Sequence, residues 1–171
     1  MSKPRLLLTS TLATLALAGS AAAQTRDPST NTALAILDEC LTALRGGTPF
    51  DTAMSQRGFR RGSGGGWVNG VGGSVIAAST GTNTFKSGGP AKLCAVTLTP
   101  QTSDPQGLDA AVAARARPWS LKYMSPGPGN GGGVMSGWAD LERQGLLAIT
   151  VNQAPGSGSA RPNTTISVIW R

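Results

Sequence analysis

Between positions 29 and 45 the apolar residues Ala33, Leu37, Cys40, Leu41 and Leu44 recur three or four residues apart, which predicts an amphipathic helix with Cys40 on its buried side. Ser29, Thr30 or Asn31 can cap it, and Gly46-Gly47 ends it. The stretch 48–66 has no period and is expected to be irregular. Residues 67–80 (WVNGVGGSVIAAST) read as strand, glycine-rich turn and strand. A second turn region over 81–90 surrounds a short segment at Thr84-Phe85-Lys86. Residues 91–99 alternate: Lys92, Cys94, Val96 and Leu98 share the more apolar face, so Cys94 should point toward the helix.

A second helix is expected over 104–117, capped by Ser103 or Asp104, with Pro105 in its first turn and Pro118 at its end. Short strands follow at 119–124 and 134–138, separated by the loop 125–133; 140–145 reads as a turn. The chain closes on a hairpin of 146–153 and 164–170, both arms rich in β-branched residues. The elements are segregated rather than strictly alternating. The predicted architecture is therefore α+β: a single domain, mostly antiparallel β-sheet, with two helices packed on one face and one disulfide. The runs Gly64-Gly65-Gly66-Trp67-Val68 and Gly131-Gly132-Gly133-Val134-Met135 are the sole hint of an internal repeat, and too short to establish one.

The N-terminus follows a different rule. Residues 1–23 carry basic Lys3 and Arg5, an apolar run over 6–17, and Ala21-Ala22-Ala23 as a small-residue cleavage site. This is the pattern of a removable export signal, which would leave 24–28 as a short polar tail and 29–171 as the globular domain. The apolar run falls short of the ~20 residues a bilayer-spanning helix needs. No other segment is apolar enough, and Ser20 stands where a lipid-accepting cysteine would be required, so neither a transmembrane segment nor a lipid anchor is expected. The location implied is periplasmic or secreted, where the pair Cys40 and Cys94 should oxidise to a structural disulfide.

Composition narrows the chemistry. The chain has no histidine and two cysteines, which removes Ser-His-Asp and Cys-His catalysis and leaves too few ligands for a zinc site. No metal and no cofactor are expected. Gly127-Pro128-Gly129-Asn130-Gly131-Gly132 matches the dinucleotide fingerprint in letters only, since no helix follows, so no nucleotide cofactor is expected either. The surviving enzymatic option is a small hydrolase working with paired carboxylates, from among Asp38, Glu39, Asp51, Asp104, Asp109, Asp140 and Glu142. With only eight acidic residues in all, a non-enzymatic role is favoured.

Two groups of side chains suggest binding. Arg57, Arg60 and Arg61, with Lys86 and Lys92 nearby, could meet an anionic surface; the formal charge is +7, or +5 once Lys3 and Arg5 leave with the signal. Trp67, Trp119 and Trp138, with Tyr123 and Trp170, lie on or near predicted strands and could stack on sugars or contact a protein, although filling the core is the simpler role. The expectation is an exported, disulfide-stapled domain binding a protein, a polysaccharide or an anionic envelope component. The alternatives are the carboxylate hydrolase or an accessory subunit of an envelope complex.

Overall fold

The computed structural model describes residues 27–85, 89–140 and 147–171. The expected signal, Lys86, Glu142 and most of the turn at 140–145 fall outside them. Among the described residues three α-helices, α1 (Pro28–Leu44), α2 (Phe50–Gln56) and α3 (Pro105–Ala116), accompany β1 (Arg60–Arg61), β2 (Trp67–Val71), β3 (Ser74–Phe85), β4 (Gly89–Thr99), β5 (Lys122–Pro128), β6 (Val134–Ala139), β7 (Leu147–Ala154) and β8 (Asn163–Trp170). The domain is α+β, one antiparallel sheet in the order β1-β2-β3-β4-β8-β7-β6-β5.

That order is a palindrome. Each half of the chain supplies a long helix, a short helical turn (α2, or the 3₁₀ turn Arg117–Trp119) and a four-strand meander. The two meanders join where β4 pairs with β8. The glycine runs before β2 and β6 occupy matching places in the two halves, so the weak sequence hint marks a repeat of architecture. Sequence reading missed it because, beyond the glycine runs, the two halves share no visible residue pattern.

Helix α1 starts at Pro28, one residue earlier than expected, because Asp27 is its cap and accepts the Thr30 N–H at 2.9 Å. Burial, the largest single influence on Asp27, pushes its pKa up. Hydrogen bonds from the hydroxyls and backbone of Ser29 and Thr30 together outweigh burial and hold the carboxyl below its ordinary range. Thr30 continues a buried hydroxyl chain: its Oγ1 lies 3.0 Å from that of Thr102, whose backbone N–H donates to Thr164 Oγ1 at 3.1 Å. The chain ties the start of α1 to the segment before α3 and to β8.

Helix α2 forms in the stretch expected to be irregular. Phe50, Ala53 and Met54 share one face and are buried, a pattern of three residues that is too brief to stand out in sequence. The segment at 84–85 is the end of the long strand β3 rather than a separate element, and β5 continues through Gly127 and Pro128 into the expected loop.

Both long helices lie on one side of the sheet. Beneath them runs a cross-strand row, Trp67–Ala78–Val96–Ile166–Val151–Ser136, every member buried. The next row, Thr80–Cys94–Val168–Ile149–Trp138, contains the expected half of the staple, and Cys94 is bonded to Cys40 of α1. Both cysteines are 1 % exposed. The two faces read from alternation in 91–99 are the two faces observed.

Candidate functional site

The arginine cluster does not act as one patch. Arg57 donates through Nε (3.1 Å) and Nη2 (2.5 Å) to Glu39 Oε1 of α1. Arg61 binds Asp51 Oδ2 at 2.6 Å and lies 4.2 Å over the ring of Trp67, whose Nε1–H donates to Asp51 Oδ1 at 2.8 Å. That indole hydrogen bond is the main reason the Asp51 carboxyl sits below its ordinary range, with Arg61 adding to it against a smaller opposing effect of burial. Arg60 pairs with Val68 and projects to the opposite side of the sheet. Alternation along a two-residue strand thus splits the cluster, and two of its three charges are met by carboxylates.

The tryptophans divide in the same way. Trp67 and Trp138 are 9 % and 5 % exposed and fill the core, with Tyr123 tilted against Trp138 at 5.5 Å between centroids. Trp119 is half-buried at the end of the helical layer, with the Arg45 guanidinium 4.1 Å above its ring. Trp170 is half-buried at the end of β8. Of the aromatic candidates, Trp119, Trp170 and the 54 % exposed Tyr123 keep surface open to solvent.

The feature that sequence reading did not single out is the side of the sheet away from the helices. Its central row is Ser79–Ala95–Ser167–Thr150–Gly137–Met124, flanked by Ala77–Thr97–Thr165–Asn152–Met135 and by Gly81–Leu93–Ile169–Ala148–Ala139. None of these side chains carries a charge. The hydroxyls of Thr97 and Thr165 lie 3.0 Å apart and satisfy one another. Charges enter at the margins, with Arg60 on β1 and Lys122 on β5. Near β2 the loop Gly62–Gly66 rises beside Ala77, Ser79, Ala95 and Thr97 and walls a depression of about 350 Å³. The loop can approach because Gly66 has no side chain; a Cβ there would lie 3.1 Å from the Ala78 carbonyl oxygen. In the second half the matching loop seats on Asn152, whose Nδ2 donates to the Asn130 carbonyl at 3.4 Å.

Carboxylate chemistry finds little support. A cleft of about 310 Å³ between the ends of α1 and α3 holds Asp38, but Arg115 clamps that carboxylate through Nε (2.7 Å) and Nη2 (2.9 Å). Asp140 lines a second cleft of about 230 Å³ with no other acid among the described residues that wall it. Asp109 on α3 is pushed up by burial, partly offset by the Ser136 hydroxyl donating to its Oδ1 at 3.0 Å. The direction is that of a partly buried acid whose desolvation outweighs its one hydrogen bond. Among the described residues no three acids, cysteines or histidines gather as a metal site would require.

Comparison with protein families, curated proteins and solved structures finds no match to the chain. The disulfide is compatible with an exported small domain, and no helix among the described residues is long and apolar enough to cross a membrane.

Proposed function

We propose that this is an exported, non-enzymatic binding domain that docks a folded protein partner on the open face of its sheet. The observation that carries the reading is the uncharged face itself, spanning β3, β4, β8, β7 and β6 and bounded by charge only at its margins. A sheet face left to water can be polar and needs no partner. This one is polar but uncharged, its Ser, Thr and Asn side chains interleaved with Ala, Gly, Leu93 and Ile169, and interface centres are the parts of protein surfaces depleted in charge.

The size is adequate. With its margins included, the face has seven inter-strand spacings of ~4.8 Å and strands of about seven residues, giving roughly 700–800 Å², close to the ~800 Å² each partner contributes to a standard stable interface. The exposed Arg60 at one margin favours a partner with a flat neutral centre and an acidic group at its rim. The hydrolase alternative is disfavoured because Asp38 and Asp140, which line separate clefts, each lack a second acid among the described residues around them.

The test places a photo-crosslinking residue at Ser167 or Thr97 and, as a control, at Thr32 on the far side of the molecule, in the exporting cell. The reading requires one adduct with an acidic protein from the sheet positions, absent from Thr32 and abolished by Ala95→Arg with the unfolding midpoint unchanged. Adducts of equal yield from Thr32, no adduct, or an adduct of twice the chain's own mass would each overturn it, the last in favour of self-association.

A further inference from the structure

The helical side of the sheet is not covered along its whole length. Helix α1 is pinned over the row containing Cys94, and the next row outward is Thr82–Lys92–Trp170–Leu147. Three strand spacings make this row ~14 Å long. Past the end of α1 it borders two clefts that share Trp170 and Arg171, one of about 460 Å³ reaching Pro90 and Lys92, the other of about 230 Å³ reaching Leu44 and Trp119. Trp119 also lines the cleft of about 310 Å³ that contains Arg45. The three clefts thus form a ledge with two half-buried indoles along it.

Asp38 and Asp140 also line these clefts, Asp38 clamped by Arg115, and the remaining charges on the ledge are disposed for an anion. Arg45, Lys92 and Arg171 are exposed, and among the described residues none of them has a carboxylate within ion-pair distance. The Arg45 guanidinium lies 4.1 Å over the Trp119 ring in a cation–π contact, and its N–H donors can still meet a carboxylate or sulfate. Placement at the C-terminal end of α1 adds a favourable helix-dipole contribution to Arg45 but does not neutralise it. The ledge therefore sets flat aromatic surface beside three cations that have no ion-pair partner among the described residues, over a length of several sugar rings.

We infer that the Trp119–Trp170 ledge binds an anionic oligosaccharide, its rings lying against the indoles and its acid groups meeting Arg45, Lys92 and Arg171. The ledge and the uncharged sheet face are on opposite sides of the molecule, so this inference stands or falls apart from the protein-docking reading. It would let the domain hold an acidic glycan while a protein occupies the other side.

Tryptophan fluorescence titrations with hexagalacturonate, with neutral maltohexaose and with inorganic phosphate test it. The expected result is a saturable change with hexagalacturonate alone, weakened by added salt. Arg45→Ala and Lys92→Ala, both exposed positions, should each weaken that binding at least tenfold while the protein stays folded, with the midpoint of Arg45→Ala lowered only slightly by loss of its contact with Trp119, whereas Arg60→Ala on the opposite face should leave the binding unchanged. Failure of hexagalacturonate to bind at millimolar concentration, equal affinity for maltohexaose, equal competition by phosphate, or unaltered binding by Arg45→Ala and Lys92→Ala would overturn the inference.

Discussion

Reducing the Cys40–Cys94 bond tests how the two layers are held together. The bond joins α1 to the central strand β4 across a sequence separation of 54 and encloses α2 and β1 to β3. Taking the closed loop as 94 − 40 + 1 = 55 residues, the chain-entropy relation gives a loss of about 14 cal/mol/K for the denatured state, or ~4 kcal/mol at 25 °C. With a urea m-value of ~2 kcal/mol/M, the unfolding midpoint should fall by ~2 M on reduction. The double variant Cys40→Ala/Cys94→Ala should fall further by ~1–2 kcal/mol, since both sulfurs are buried and alanine leaves their space empty. Urea unfolding followed by far-UV circular dichroism, on oxidised, reduced and double-variant protein, provides all three values. A reduced protein whose midpoint lies within ~0.5 M of the oxidised one at equal m-value would refute the reasoning, because the loop would then already be constrained in the denatured state.

Other perturbations probe separate parts of the argument. Leu37→Ala in α1 or Leu108→Ala in α3, at positions 1 % and 0 % exposed, should each cost ~2–5 kcal/mol in a urea melt, and an unchanged midpoint would mean that helix does not seat on the sheet. Asp109 has its folded pKa raised above the ordinary 3.8, so it opposes stability progressively as pH rises from about 4 through the folded value; Asp109→Asn should remove that decline, and parallel stability profiles for the two proteins would contradict it. Gly133→Ala would place a Cβ 2.0 Å from the Gln153 carbonyl oxygen and should lower the melting temperature by several degrees, whereas Gly64→Ala, with nothing within 4 Å, should leave it nearly unchanged.

Strict alternation made β4 and the β7–β8 hairpin legible, and i, i+3, i+4 spacing made α1 and α3 legible; from these alone Cys40 and Cys94 were assigned to the same core. What the alternation could not convey was pairing between distant strands. The palindromic order depends on β4 meeting β8, a contact between residues such as Ala95 and Ser167, and no local pattern encodes that meeting. The arrangement of the candidate binding residues was harder still to read. Arg57, Arg60 and Arg61 look like one cluster in sequence, yet strand alternation sends Arg60 to one side and Arg61 to the other, and Glu39 and Asp51 from earlier helices meet Arg57 and Arg61. The open face left no signal because Ala, Ser and Thr in a strand read as unremarkable; their meaning comes only from adjacency across five strands.

The sheet's edges bear on how any partner can approach. A two-fold repeat of a helix and meander puts the long apolar strands β4 and β8 in the middle, where each protects the backbone of the other. The outermost strands are β1, only two residues long, and β5, which carries Pro126 and Pro128 and so lacks two N–H donors. Short edge strands and edge prolines are the usual means of preventing strand addition. A partner that extended the sheet would find few backbone groups to bond at β1 and interrupted ones at β5. Half of the chain alone would be worse placed, since separation would expose β4 or β8 as a long apolar edge. Both proposed contacts, a flat protein on the uncharged face and an acidic glycan on the aromatic ledge, accordingly use surfaces rather than sheet edges.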